Sequence, residues 1–389
     1  MLTLLKNAKV YAPEPLGKHD LLIAGGKLLA MESELTLSGS IPHRTVDLNG
    51  LIVAPGLVDS LVHITGGGGE GGFATRTPEM TLTQATRGGV TTVVGALGTD
   101  ATTRSLADLV AKARALEEEG ISAYCHTGSY QYPVRTITGS VTDDIVLIDK
   151  FIGVGEVAIS DHRGSHPSVA ELIRLASEAR VGGMLAGKGG VVSIHVGDGG
   201  DQLDPLLEAV ATSEIPIRQF YPTHINRNPG LLNSGFRFAE AGGVIDFTTS
   251  HNQQIIDDGE VLAAEALALA INRGISVNNL TMSSDGNASL PIFSRDGELI
   301  GLEVGRVDSL FSALRQAIKD FDVPIEQALT AVTATPAKVL GLAQKGRVQV
   351  GKDADFICVD PASFAIEQVW AKGKQLVVNG EPACKGMFE

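Results

Sequence analysis

Eight short apolar runs recur between residues 54 and 284, separated by polar loops and by stretches whose apolar residues return every three or four positions. The runs are 54–62, 90–94, 121–125, 152–159, 190–195, 216–223, 243–248 and 281–284. The clearest helical stretches are 105–119, 167–179, 206–212 and 259–272. Alternation of apolar strands and amphipathic helices over this length predicts a parallel sheet covered by helices. A closed barrel accommodates eight such units, and an open doubly wound sheet is the other arrangement the alternation allows.

Five ionisable residues stand at or near the ends of these runs. His63 ends Leu57-Val58-Asp59-Ser60-Leu61-Val62, Glu156 lies within 152–157, His195 ends Val191-Val192-Ser193-Ile194, His224 follows Tyr221-Pro222-Thr223, and Asp285 follows Met282-Ser283-Ser284. In a parallel barrel the carboxyl ends of the strands converge on one mouth, so residues far apart in sequence can surround one point. Imidazole and carboxylate suit zinc or a similar divalent ion, which lowers the pKa of a bound water toward neutrality. One histidine in such a place is as readily a hydrogen-bonded core residue; three with two carboxylates favour a metal. The reading is an α/β chain, a TIM-like (β/α)8 barrel with its chemistry at the C-terminal face.

The chain ends read differently. Residues 21–24 and 27–31 flank Gly25-Gly26, and 45–48 and 51–53 flank Asn49-Gly50, which predicts a small antiparallel sheet. In the tail, 345–355, 356–359, 366–371 and 374–378 read as strands broken by glycines. A few exposed strands seldom hold a core alone, so 1–53 and 342–389 are expected to form one small β-sandwich domain, with 54–341 as the catalytic barrel.

Charge narrows the partners. With 31 Lys and Arg against 45 Asp and Glu the net charge is -14, which argues against nucleic acid or an anionic membrane as a general partner. A few local arginines would still admit a small anionic substrate. Cys125, Cys358 and Cys384 are widely spaced, with no CxxC, and predict no disulfide framework. The opening residues offer neither a secretory apolar region nor a membrane span, and a soluble cytoplasmic protein is expected.

With two residues between, His63 is followed by Gly66-Gly67-Gly68-Gly69-Glu70-Gly71-Gly72. Without side chains such a loop can bring backbone close to a substrate; the other reading is a surface loop with Glu70 solvated. It matches neither GxGxxG between strand and helix nor GxxxxGK[ST].

The strings Pro55-Gly56-Leu57-Val58-Asp59, Gly66 to Glu70, 75–79 (TRTPE), 135–140 (RTITGS), 159–163 (ISDHR), 222–228 (PTHINRN) and 283–287 (SSDGN) resemble the amidohydrolase superfamily, and more closely the isoaspartyl dipeptidases. PGxxD is only a superfamily signal, whereas GGGGE with ISDHR and THINRN is specific, and the likeness covers nearly the whole chain. The resemblance implies a zinc enzyme with two ions that uses metal-activated water to cleave dipeptides joined through an aspartate side chain, working as a homo-oligomer. It implies that His195 and His224 hold the more exposed ion, and that Asp285 holds the buried one and shuttles the proton. It also implies that Glu70 holds the substrate's α-amino group, that Arg163, Arg227 and Ser289 hold carboxylates, that Tyr130 stabilises the oxyanion, and that Thr99 and the backbone of Gly68 line the pocket. Charge agrees: such a dipeptide carries one ammonium and two carboxylates, and arginine grips a carboxylate through paired hydrogen bonds.

Two departures bear on the metal. The family's first-strand HxH reads Leu61-Val62-His63 here, and leucine cannot coordinate. The bridging carboxylated lysine is replaced by Glu156, in a stretch one residue longer at Gly155. Glutamate has a shorter reach, so its backbone must move inward. The expected inner site is His63, Glu156 and Asp285, and the outer site Glu156, His195 and His224, each with enough ligands for zinc and an open position. A single ion is the alternative, because Leu61 removes a ligand. Two other functions fit the same residues: a hydrolase of cyclic amides or N-acyl amino acids, which leaves Glu70 without an ammonium partner, and a non-catalytic small-molecule-binding homologue, with neither stoichiometric zinc nor turnover.

Overall fold

A computed structural model of the chain describes residues 2–293 and 299–389. The eight apolar runs fold as the strands of a barrel: β1 (Leu57–Val62), β2 (Val90–Gly95), β3 (Ser122–Thr127), β4 (Phe151–Ile159), β5 (Val191–Val196), β6 (Phe220–Thr223), β7 (Ile245–Thr248) and β8 (Leu280–Ser283). Strands β1 to β6 pair in succession, all parallel, and β7 pairs with β8. Backbone hydrogen bonds complete the ring, Ile225 N to Asp246 O (3.2 Å) between the ends of β6 and β7, and Asp285 N to Leu61 O (3.1 Å) between β8 and β1.

The helices that cover the strands carry local start and stop signals. Leu106–Glu119 begins where Ser105 accepts from the Asp108 amide, and Val169–Ala186 begins on a reciprocal Ser168–Glu171 capping box. Their apolar faces, with Leu109, Leu116, Leu172 and Leu175 buried, pack against the outward residues of the strands. Inside the barrel Val58, Val94, Ile152, Val191 and Tyr221 form a separate layer on the N-terminal side of the five ionisable residues. Among the described residues no helix is long and apolar enough to cross a membrane.

Strands from both chain ends build one nine-stranded sheet around Leu5, Val10, Leu21, Ile23, Leu28, Phe356 and Trp370. Three expectations are corrected. The opening sheet is mixed, because Leu2–Tyr11 runs parallel to both His43–Asp47 and Ile52–Pro55. The run 54–62 is two strands, since Ile52–Pro55 pairs with Phe356–Val359 in that sheet and the chain enters the barrel after Gly56. Residues 345–355 do not form a strand: the buried Lys345 ammonium is gripped by Asp353 (2.7 Å) and Asp355 (2.6 Å), and the segment turns on itself to bring both carboxylates to one cation. An antiparallel hairpin of Ser289–Phe293 and Leu299–Val304, which the sequence reading did not foresee, follows β8.

Candidate active site

Each of three imidazoles has one nitrogen held by an outer partner and the other turned toward Glu156. His63 places Nδ1 3.2 Å from the Ala96 carbonyl, and its Nε2 lies 3.3 Å from Glu156 Oε1 and 3.2 Å from Asp285 Oδ1. His195 donates from Nε2 to Asp161 Oδ2 (2.8 Å), leaving Nδ1 3.6 Å from Glu156 Oε2. His224 meets the Thr248 hydroxyl through Nδ1 (2.5 Å), leaving Nε2 3.6 Å from Glu156 Oε2. Outer partners of this kind fix the tautomer and ring orientation of metal-ligating histidines. Ligand atoms of Glu156, His195 and His224 lie within 4.8 Å of one another.

The local backbone explains how Glu156 reaches this point. Val154 pairs with Val192 and Val157 with Ile194, so β4 spends one more residue than β5 over the same interval. The surplus falls at Gly155-Glu156, a bulge of the kind that re-aims a side chain. Gly155 has φ +141°, and a Cβ there would lie 2.5 Å from the Ser193 carbonyl, so only glycine fits. His224 and Asp285 also take left-handed backbone, φ +65° and +51°, which in non-glycine residues costs about 1–3 kcal/mol and clusters at functional sites.

The electrostatics favour a cation. Both carboxylate oxygens of Glu156, His224 Nε2 and Asp285 Oδ1 are buried without a hydrogen-bond partner. Leaving such groups unpaired costs about 1–3 kcal/mol each, and a divalent ion would satisfy them together. Burial opposes charge on Glu156, but the surrounding imidazoles outweigh it and hold the carboxyl well below the usual range. Burial would also lower the His63 pKa, yet Asp285 and Glu156 carry it up to about 10. The residues therefore fit a divalent metal.

The outer residues gather around Glu70. Its carboxylate accepts from the hydroxyls of Thr99 (2.9 Å) and Ser289 (3.3 Å), and Arg163 Nη1 lies 3.6 Å away. Arg163 is itself paired with Asp161 through two bonds of 3.0 and 2.7 Å, and its guanidinium lies 5.5 Å from the Tyr130 ring centre. The Tyr130 hydroxyl donates to His195 Nδ1 (2.7 Å), and burial raises its pKa well above 10, so it is a neutral donor. Arg227 donates from Nε to the Val196 carbonyl (3.2 Å) at the end of β5. The glycine run is ordered by its neighbours. Arg104 binds the carbonyls of Thr65, Gly67 and Thr77, and Gly68, at φ +71°, would bring a Cβ within 2.5 Å of the Thr75 carbonyl.

The model of the amidohydrolase family matches residues 260–381. Allantoinase from Enterococcus faecalis is 25% identical over 88% of this chain and 83% of its own length. A dihydropyrimidinase structure from Brevibacillus agri, 18% identical with a TM-score of 0.68 over 99% of this chain and 97% of that one, shares the fold. The crystal structure of beta-aspartyl dipeptidase from Fervidobacterium islandicum AW-1 in complex with beta-Asp-Leu dipeptide is 45% identical, covers 98% of both chains and has a TM-score of 0.91. This chain belongs to the beta-aspartyl dipeptidases of the amidohydrolase superfamily. It is a divergent, metal-dependent member, lacking the first HxH histidine and the bridging lysine.

Around the histidine and carboxylate cluster of this dipeptidase stand residues that the sequence did not single out. Asp161 stands in the string ISDHR, but its grip on His195 depends on two strands meeting. Thr248 ends β7 and His224 directly follows β6, a positional hint without a motif. Arg104 lies in a polar stretch that gives no signal, because its three carbonyl partners come from a distant loop.

Proposed function

We propose that the enzyme hydrolyses isoaspartyl dipeptides, with the charged ring around Glu70 reading the substrate and the Glu156 cluster performing the cleavage. The observation that carries this reading is the pairing of the two groups. An acidic side chain with two hydroxyls suits an ammonium, and arginines beside a buried imidazole and carboxylate cluster suit a dianionic amide. The Fervidobacterium relative was crystallised in complex with beta-Asp-Leu, a dipeptide of this charge pattern. Two zinc ions, the inner on His63, Glu156 and Asp285 and the outer on Glu156, His195 and His224, would polarise the amide carbonyl and lower the pKa of the attacking water.

The residues divide the remaining work. Asp285 takes the proton of the attacking water on the carboxylate oxygen that the ion would leave free and returns it to the departing amine. Glu70, released from Thr99 and Ser289, binds the α-ammonium, and Gly68 lets backbone approach the same end. Arg163, Arg227 and Ser289 hold carboxylates. Tyr130 donates to the carbonyl oxygen as charge develops there, having lost His195 Nδ1 as its acceptor once that nitrogen is a ligand. The three free thiols and the exposed Leu147, Met184 and Leu185 on helices Val141–Leu147 and Val169–Ala186 support a cytoplasmic homo-oligomer.

Metal analysis of the purified protein, paired with hydrolysis of α- and β-linked aspartyl dipeptides of identical composition, tests this function. Turnover of the β-linked isomer is expected. Preference for the α-linked isomer would defeat the specificity, and turnover of cyclic amides alone would move the enzyme to the ring-opening reading.

A further inference from the structure

Asp246 is a buried carboxylate that none of the chemistry above uses. It lies on β7, which contributes no ionisable residue to the Glu156 cluster, and it is 1% exposed. Taking a carboxylate out of water is costly unless hydrogen bonds replace its hydration. Here hydroxyls do so. Oδ1 accepts from Thr281 (2.6 Å), with the Tyr221 hydroxyl 3.3 Å away, and Oδ2 accepts from Thr223 (2.7 Å) and from Ser283. All four hydroxyls belong to buried residues of β6 and β8, the strands on either side.

The two bonds of Oδ2 land beside the cluster. Thr223 immediately precedes His224, and the Asp246 carbonyl accepts from the amide of Ile225 (3.2 Å), which immediately follows it. His224 is thus bracketed by two bonds to one residue. Ser283 stands two residues before Asp285. His224 and Asp285 both have left-handed backbone, at φ +65° and +51°, a conformation that persists in non-glycine residues only where the surroundings over-determine it. Strands β1 to β6 form one ladder and β7 with β8 another, so the strand end that carries His224 and the one that carries Asp285 belong to different ladders. Oδ2 joins them.

We propose that Asp246 is a positioning residue for the metal centre, its Oδ2 tying the end of β6 that carries His224 to the end of β8 that carries Asp285 and so holding the outer and inner ligand sets in register. Asp246 acts through these strand ends and touches neither ion nor substrate. An apolar residue of similar size would fill the same space, but it would leave the Thr223, Thr281 and Ser283 hydroxyls without their acceptor. The proposal rests on the two-ion reading of the site and is independent of which dipeptide is cleaved.

Its test reads metal and leaves turnover aside. Chelator-stripped wild type, Asp246→Asn, Thr223→Val, Thr223→Ser and Ser283→Ala are titrated with Co2+, followed by visible absorption and by elemental analysis after gel filtration. Anomalous-scattering maps at one and two equivalents assign each ion to its ligands, and a cooperative thermal transition confirms that each variant is folded. Thr223→Val, nearly isosteric but without the hydroxyl, should weaken the ion on His224 at least about tenfold and leave the ion on Asp285 unchanged. Ser283→Ala should do the reverse, Asp246→Asn should weaken both and shift the cobalt absorption bands, and Thr223→Ser should restore wild-type affinity. A carboxylate that only stabilises the barrel would lower the melting temperature of these variants while the folded protein bound both ions with wild-type affinity and spectrum, and that result would overturn the proposal. Equal weakening of both ions by Thr223→Val and by Ser283→Ala would overturn it as well. Where Asp246→Asn fails to fold, Thr223→Val and its serine rescue decide alone. A wild type that binds a single ion would sink the two-ion reading by itself; the tie to His224 then stands if Thr223→Val weakens that ion and falls if it does not.

Discussion

Asp161 Oδ2 accepts the Nε2 hydrogen of His195 at 2.8 Å, and that bond leaves Nδ1 as the nitrogen facing Glu156. Burial opposes the charge of Asp161, but His195 and Arg163 together hold its carboxyl well below the usual range, so it is ionised wherever the enzyme works. Replacing it by alanine frees the ring to rotate and to exchange tautomers. Asp161→Ala should weaken metal binding about 10- to 100-fold, the loss expected when an outer partner of a ligating histidine is removed. Competition with a chromogenic chelator measures it. An unchanged metal affinity with raised KM would assign Asp161 to positioning Arg163 alone.

The metal-free and metal-loaded forms should respond oppositely to pH through His63. In the metal-free fold its pKa is about 10 against an ordinary 6.5. The folded state thus binds the extra proton more tightly than the unfolded chain, so this contribution to stability is complete below about pH 6.5 and is lost as pH rises toward 10. Metal must displace the same proton, so apparent metal affinity should climb over that interval. Melting temperatures taken with chelator and with excess zinc from pH 6.5 to 9.5 should diverge. Parallel curves would show that His63 carries no proton in the metal-free fold.

The strand ends were legible because an apolar run has a visible end, and His63, His195, His224 and Asp285 each stand there. Glu156 was legible only as a departure from a pattern, yet the additional residue at Gly155 is the bulge that carries it inward. The partners of these groups were not legible. Asp161, Thr248 and Arg104 act across strands or loops, and single-chain spacing carries no record of which loop carbonyls will meet an arginine. The tail failed where Lys345, read as part of a strand, proved to be a buried cation holding a turn.

Gly155→Ala tests the bulge directly. The methyl must enter a space 2.5 Å from the Ser193 carbonyl at φ +141°. Overpacking and backbone strain each cost about 1–3 kcal/mol, so a loss of roughly 2–4 kcal/mol is expected in urea unfolding. Because relief of the clash must move Glu156, metal affinity should fall in the fraction that folds. A stable variant with full metal content would show that the strand can carry Glu156 inward by another route.

Arg104→Lys separates loop order from metal chemistry. Arginine spans the carbonyls of Thr65, Gly67 and Thr77 with its planar fork, and the compact lysine ammonium cannot reach all of them. The backbone of Gly68 and the adjacent Glu70 should lose their fixed approach to substrate. Metal content should stay constant while KM for a β-linked dipeptide rises several-fold. Loss of metal in parallel would mean that Arg104 supports His63 rather than the loop.

Glu156 faces both halves of the cluster, Oε1 toward His63 and Oε2 toward His195 and His224. Glu156→Gln keeps its volume but removes the charge that the buried imidazoles face, and it offers one weak amide oxygen in place of two carboxylate oxygens. A divalent ion binds an anionic carboxylate far better than a neutral amide oxygen, so occupancy should fall at both sites together and hydrolysis should drop by at least about a thousandfold. Glu156→Asp withdraws the carboxylate by one methylene and keeps its charge, so it should retain one ion at reduced affinity. Because glutamate is already a carboxylate, wild-type reconstitution should proceed equally with and without bicarbonate. Elemental analysis of the three proteins, with and without bicarbonate, reads all of these outcomes. Two ions retained in Glu156→Gln, or a bicarbonate requirement in the wild type, would remove Glu156 from the bridging position and leave each ion to be held by its own histidines and Asp285.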